Sequence, residues 1–141
     1  MNKTILKFQY PNSCIKEYQF WVVMIRPKQV TLGSLIIAYK DDVENLSEIE
    51  LKGYQELKIV ISDIEKCLKN TFNYDVINYL TLMMIDKNVH THVIPRYCRP
   101  ILFNSKQFAD KDWPLPPDLS SSLKLSVSEL NELKIRLKKL I

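Results

Sequence analysis

Only two glycines, Gly33 and Gly53, occur among the 141 residues, and that scarcity excludes more architectures than any other feature. A P-loop and a dinucleotide-binding turn each need several closely spaced glycines so that the main chain can approach phosphates. Neither can be built here. The length fits one compact domain spanning residues 1–141, and 46% hydrophobic with 26% charged residues is an ordinary composition for a soluble protein with a sizeable core. The longest apolar run, FWVVMI, is a strand's length and far short of the roughly 18 residues of a membrane helix. The N-terminal MNKTILKFQY has no continuous apolar segment and no small-residue cleavage site. A cytoplasmic location is expected. Cys14, Cys67 and Cys98 are odd in number and far apart, with no C-x-x-C pair, so they read as free thiols. A net charge of +4, from 20 basic and 16 acidic residues, is too mild to imply nucleic acid and suits a phosphate-bearing small molecule equally well.

The chain divides into strands broken by one long helix. Tyr18 to Pro27, rich in aromatic and β-branched residues, and Val30 to Lys40 predict an antiparallel hairpin. Ser47 stands three residues before Glu50, the spacing of a capping box, and apolar residues at Leu57, Val60, Ile61, Ile64, Cys67 and Leu68 continue a helical stripe. A helix is expected from about Ser47 to about Asn70. Gly53 in its first turns costs about 1 kcal/mol relative to alanine, with no evident functional reason. Tyr74 to Asp86 and Asn88 to Tyr97 predict a second hairpin turning at Asp86-Lys87, with Pro95 ending regular pairing. The proline-rich stretch 98–122 reads as a long irregular segment whose Phe103, Phe108 and Trp113 pack against something. A terminal helix over about 126–140 carries a stripe of Leu130, Leu133, Leu137 and Leu140, with glutamates early and Lys138 and Lys139 late, matching the helix dipole. Docking on the domain is favoured over pairing with a second subunit.

The only two histidines lie in NVHTHVIPRY. Alternate residues of a strand share a face, so Asn88, His90, His92 and Ile94 point one way and Val89, Thr91 and Val93 the other. Three readings remain open. Both can be buried structural histidines bonded to carbonyls. They can be half of a metal site, although no third histidine exists and further ligands would have to come from unidentified carboxylates or Cys98. Or a neutral imidazole can attack phosphorus, which needs a nucleophile, a group that fixes its tautomer and donors for the phosphate oxygens. His90, His92 and Asn88 suit those three roles.

The segment Asn88 to Arg96, N-V-H-T-H-V-I-P-R, resembles the signature of the histidine triad (HIT) family, His-φ-His-φ-His-φ-φ, often followed by Pro-Arg. The likeness extends upstream through TLGSLIIAYK and downstream through FNSKQFADKDWP, where it is similar to the bacterial branch labelled diadenosine tetraphosphate hydrolase-like, and so covers a core of about 18–117. The resemblance implies an α+β fold: an antiparallel sheet of about five strands, one long helix packed on it and, here, an added C-terminal helix. It also implies a homodimer that binds purine nucleotides or dinucleoside polyphosphates. By the same resemblance His90 matches the nucleophile and His92 the histidine that supports it. Asn88 stands where the family has its first histidine, an amide that donates to a phosphate oxygen but delivers no proton. The family's Gly-Gln-Ser/Thr loop is replaced by MMIDKN. Arg26 lies near the position of a ribose-binding acid or amide in relatives, and there it either clamps a phosphate or pairs with a surface acid. Ser34 falls where some relatives have a further histidine. Arg96 reaches toward the same anion or is solvated at the strand end.

The function expected is a HIT-type nucleotide hydrolase or nucleotidyl transferase that cleaves at the α-phosphate of an adenosine-like dinucleotide or phosphoramidate through a covalent histidine. The expected catalytic residues are His90 and His92, the phosphate-binding residues Asn88, Arg26 and Arg96. No cofactor or resident metal is expected, with magnesium able to accompany a polyphosphate. The rival is a nucleotide-binding sensor or adaptor that has lost turnover. Nucleic-acid binding through the basic C-terminal helix is a third and less favoured expectation, and no membrane partner is expected.

Overall fold

Both strands of the predicted first hairpin are buried at every position, which requires a sheet covered on both faces. The computed structural model, which describes residues 1–141, shows how. In chain order the elements are α1 (Lys3–Lys7), β1 (Cys14–Glu17), β2 (Trp21–Ile25), β3 (Leu35–Tyr39), a 3-10 turn at Leu46–Glu48, α2 (Leu51–Phe72), β4 (Val76–Leu80), β5 (His90–Arg96), β6 (Ile101–Phe103), β7 (Lys106–Phe108) and α3 (Val127–Leu140). Five strands form one antiparallel sheet in the order β1-β2-β3-β5-β4, and β6 and β7 form a separate hairpin. The α+β architecture, with one long helix on a five-stranded antiparallel sheet and a C-terminal helix, is the one expected.

On one face Trp21, Val23, Ile25, Leu35, Ile37, Tyr39 and Val93 pack against Val60, Ile64 and Leu68 of α2 and Leu133 and Leu137 of α3. On the other face Val22, Met24, Ile36 and Ala38 are sealed by Ile5 of α1. Removing a leucine or isoleucine side chain from water is worth roughly 1.5–3 kcal/mol, so the C-terminal helix docks through two such residues. Ser126 caps it, accepting from Glu129 N–H while Glu129 accepts from Ser126 N–H. No helix is long and apolar enough to cross a membrane.

Several local expectations are corrected. Ser47 caps nothing: Asn45 opens the 3-10 turn, with Glu48 accepting its main-chain N–H at 3.0 Å. Ile49 is then pulled into the core in an extended conformation, which breaks the chain's helical path before α2 starts at Leu51. β4 stops at Leu80, so the second hairpin turns not at Asp86-Lys87 but through residues 81–89, with Met83 in the left-handed region. The stretch 98–122 is not wholly irregular. Asn104 and Ser105, both at positive φ, turn β6 into β7, the left-handed pair a tight hairpin requires. At the N-terminus, α1 and β1 precede the strand expected first.

Gly53 has a packing reason. A Cβ there would stand 2.9 Å from Ile49 Cγ2 and 3.0 Å from Tyr39 Cε2, and Trp21 Nε1 donates to the Gly53 carbonyl at 2.7 Å. The helix start is thereby pressed onto the sheet. Gly53→Ala is expected to lower stability by about 1–3 kcal/mol through overpacking, although helix propensity alone would raise it by about 1 kcal/mol. Urea unfolding checks this, and an unchanged or higher midpoint would refute it.

Candidate functional site

His90 and His92 stand opposite Ala38 and Ile36 of β3, and directly opposed residues of an antiparallel pair share a face. Both imidazoles therefore project onto the sheet face that α1 covers, as does Leu80 of β4, which pairs with His92. The Phe8 ring, just past α1, lies against both of them, with centroid separations of 5.7 and 5.9 Å, and the two imidazoles meet edge to face at 5.1 Å. Neither is open to bulk water: His90 is 3% and His92 7% exposed. The predicted sharing of a face holds for His90 and His92, while Asn88 lies just before β5.

His90 Nδ1 is 2.7 Å from the main-chain carbonyl of Asn88. A carbonyl only accepts, so Nδ1 carries the proton and donates it, which leaves the Nε2 lone pair free in the neutral ring. The tautomer is thus fixed by the main chain at residue 88. No hydrogen bond joins the two imidazoles, which meet through the aromatic edge contact. His92 Nδ1 instead accepts a long bond from Arg26 Nε at 3.4 Å. Burial first, then the Arg26 charge and then His90 push the His92 pKa down to about 4, against a smaller opposing effect of Asp86. His92 is neutral at pH 7.

The side chains of Asn88 and Arg96 are placed otherwise than expected. Asn88 Oδ1 accepts from Thr4 N–H at 3.4 Å and from the Thr4 hydroxyl at 3.1 Å, while Nδ2 donates to Asp42 at 2.6 Å. Its amide ties α1 to the loop after β3 through Oδ1 and one of the two Nδ2 N–H groups. The Arg96 guanidinium is neither solvated nor free for a phosphate. It grips Asp110 through Nε at 2.7 Å and Nη2 at 3.1 Å and donates from Nη1 to Asn78 at 2.9 Å, with both charged side chains almost fully buried. Arg26 does reach His92. Ser34 is buried in the turn before β3, where its hydroxyl donates to the Thr31 carbonyl at 2.7 Å.

A cavity of about 140 Å³ opens onto the imidazoles, walled by residues 82–86 together with His90 and His92. Asp86 in that wall is held by Lys7 at 2.7 Å. A larger groove of about 680 Å³ runs along β4 beside Arg96 and residues 113–117. It contains Trp113 but neither histidine, so it has none of the site's chemistry. No three His, Cys, Asp or Glu side chains converge to hold a metal ion. Phe8, Lys7 and Asp86 are site residues that sequence reasoning missed. The one signal for the first two was Asn2, a helix cap that accepts from Ile5 N–H.

Two outcomes are expected. Because folding lowers the His92 pKa from its ordinary value near 6.5 to about 4, the unfolded chain binds the extra proton. The stability this contributes is complete above pH 6.5 and is lost as pH falls toward 4. Urea midpoints across that window should drop in the native protein and drop less in His92→Gln, and parallel curves would contradict the assignment. Asp110→Ala should cost about 3–5 kcal/mol by leaving a buried guanidinium uncompensated. A loss below about 1 kcal/mol in equilibrium unfolding would show that Arg96 finds another partner or water.

No family model matches the sequence, and no curated protein matches it. Solved structures do. A histidine triad protein from Sinorhizobium meliloti superimposes with TM-score 0.77 at 16% identity over 100% of this chain and 96% of its own. One from Bradyrhizobium japonicum gives 0.75 at 17% over 100% and 96%. A hypothetical histidine triad nucleotide-binding protein from Sulfolobus tokodaii gives 0.69 at 16% over 96% and 87%. At such identities the likeness is one of architecture, and the architecture of this chain is the histidine triad fold.

Proposed function

We propose that the protein is a nucleotide hydrolase or nucleotidyl transferase in which His90 attacks the α-phosphorus of an adenosine-like substrate. The observation that carries this reading is the 2.7 Å bond from His90 Nδ1 to the Asn88 carbonyl, which leaves Nε2 as a free lone pair beside a neutral His92. In the first step the Nε2–P bond forms and the P–O bond to the leaving group breaks, its electron pair going to the leaving oxygen. Water then attacks phosphorus and gives up its proton to solvent, the N–P bond breaks with its electron pair returning to Nε2, and nucleoside monophosphate is released with the neutral imidazole restored. The 140 Å³ cavity takes the phosphoryl group, and His92 Nε2–H is a donor for its oxygens. Asn88 contributes through its main chain and not as a phosphate ligand. Arg96 belongs to the scaffold.

Leaving-group chemistry follows from the same geometry. Asn88 has no proton to give, and His92 is neutral. The remaining acid in the cavity wall, Asp86, is paired with Lys7. A polyphosphate departs without protonation, whereas an amine does not. The reading therefore favours dinucleoside polyphosphates over phosphoramidates, with magnesium entering on the polyphosphate. A homodimer belongs to the same reading, since β4 ends the sheet with Val76 and Tyr79 exposed on it. The engaged Asn88 amide favours one alternative, a sensor that binds nucleoside monophosphate without turning anything over.

The test is release of adenosine monophosphate from diadenosine tetraphosphate and from an adenosine phosphoramidate, by native protein and by His90→Ala. The expected result is turnover of the polyphosphate, slower or no turnover of the phosphoramidate, and a loss of at least about 10³-fold in the variant. A reaction quenched in alkaline denaturant, which spares the acid-labile P–N bond, should leave an adenylyl group on His90 by mass spectrometry. Tight monophosphate binding with no turnover of either substrate would establish the sensor instead.

A further inference from the structure

Two arginines are withdrawn from bulk water in this chain, and they are treated differently. Arg96 has a bidentate carboxylate partner in Asp110. Arg26 has none. Its Nη1 donates to the Lys28 carbonyl at 2.6 Å, its Nη2 to the Leu119 carbonyl at 2.9 Å and its Nε to His92 Nδ1 at 3.4 Å, all neutral acceptors. Desolvation without a compensating anion lowers its pKa. A guanidinium has five N–H donors, so these three bonds orient the planar fork and leave one N–H on each terminal nitrogen unspent. A half-buried cation fixed this way is a place where an anion is missing.

The surroundings fit that need. Arg26 lines a pocket of about 250 Å³ with Lys7, Phe8, Gln9, Pro27 and Lys28. Three cations and no carboxylate line it. The acid that engages any of the three, Asp86, pairs with Lys7 and belongs to the wall of the histidine cavity. Phe8, whose ring rests on both imidazoles, and His92, which touches Arg26, stand between this pocket and the cavity at His90. A ligand reacting at His90 therefore has a second, cationic compartment beside the first.

We propose that this pocket binds a second anionic group of the phosphate-monoester class on the substrate, held by Arg26 and Lys28 with Lys7 at the rim. The proposal rests on the nucleotide reading for the position of the first phosphate. It then specifies a nucleoside that carries a further phosphate on its ribose, at the 2′ or 3′ oxygen, in addition to the 5′ α-phosphate at His90. Phe8 offers the sugar an apolar wall, and the guanidinium fork supplies paired donors that match two oxygens of a phosphate dianion.

Binding, which needs no turnover, provides the test. Calorimetric titration of the native protein with adenosine 5′-monophosphate and with the 2′,5′- and 3′,5′-bisphosphates should show at least one bisphosphate binding about tenfold or more tightly. In the Arg26→Gln/Lys28→Gln double variant that preference should fall to about unity. Equal affinities in the native protein, or a preference that survives the double variant, would overturn the proposal. Should the Arg26 substitution unfold the chain, Lys28→Gln alone, at an exposed position, should cut the preference about threefold, and no change would count against the pocket. The nucleotide reading fails separately. If none of the three nucleotides binds, inorganic phosphate is the remaining probe. NMR shifts at Arg26 Nε–H and the Phe8 ring that occur in the native protein and need about threefold more phosphate in Lys28→Gln would uphold an anion pocket on a different scaffold of substrate, and their absence, or an unchanged midpoint in the variant, would overturn it.

Discussion

The site depends on the position of residue 88, where main chain and side chain do separate work. The Asn88 carbonyl fixes the proton of His90 on Nδ1, and the Asn88 amide clasps Thr4 on one side and Asp42 on the other. Asn2 reinforces the clasp by donating to the carbonyls of Tyr39 and Asp41. Thr4, Asn88 and Asp42 come from three distant parts of the sequence, so one amide holds α1 over the histidine face. Ile5 and Phe8 are thereby positioned to keep that face dry. A histidine at 88 would have to satisfy both Thr4 and Asp42 from a rigid ring. The asparagine is therefore a structural commitment of this chain.

Charge is distributed by the same economy. The Arg96–Asp110 pair, with Asp110 also accepting from Tyr97 N–H, pins the segment after β7 to the end of β5. Farther along that segment, Leu119 offers its carbonyl to Arg26. The long connection is thus stitched to the sheet at two arginines, one neutralised and one not. A buried ion pair adds little net stability because desolvation offsets attraction. What it supplies here is a fixed path for the chain, which in turn fixes the orientation of the arginine beside His92.

Much of this was legible from the residues. The apolar runs of β2 and β3, the stripe of α2, the capping box of α3 and the shared face of His90 and His92 all express local periodicities that tertiary contacts left intact. What failed to show were features set by partners far away in sequence. Ile49 was drawn into the core and displaced the helix start from Ser47. Arg96 looked like a solvated strand end because Asp110 lies 14 residues on, across the β6–β7 hairpin. Gly53 seemed idle because Tyr39, the side chain it accommodates, sits on another element. Phe8 gave no signal of its own, since nothing in its neighbours reveals that α1 folds back over β5. The Asn-Ser turn at 104–105 is a local signal, masked by the prolines around it, which suggest an irregular run.

The depressed pKa of His92 links the cover to the chemistry. A cationic His92 would repel Arg26 and would have to be desolvated beside a second imidazole. The fold resolves this by keeping the ring neutral, and it can do so only while Phe8 and α1 exclude water. Neutral His92 cannot act as a strong acid, but its dry surroundings strengthen any hydrogen bond its ring makes. The permanent charge beside it belongs to Arg26, whose Nε donates to His92 Nδ1 at 3.4 Å and which stays protonated at neutral pH. Separating the two, a neutral hydrogen-bonding imidazole and a permanent cation beside it, keeps the charge of the histidine face constant around neutral pH, because His92 stays uncharged there.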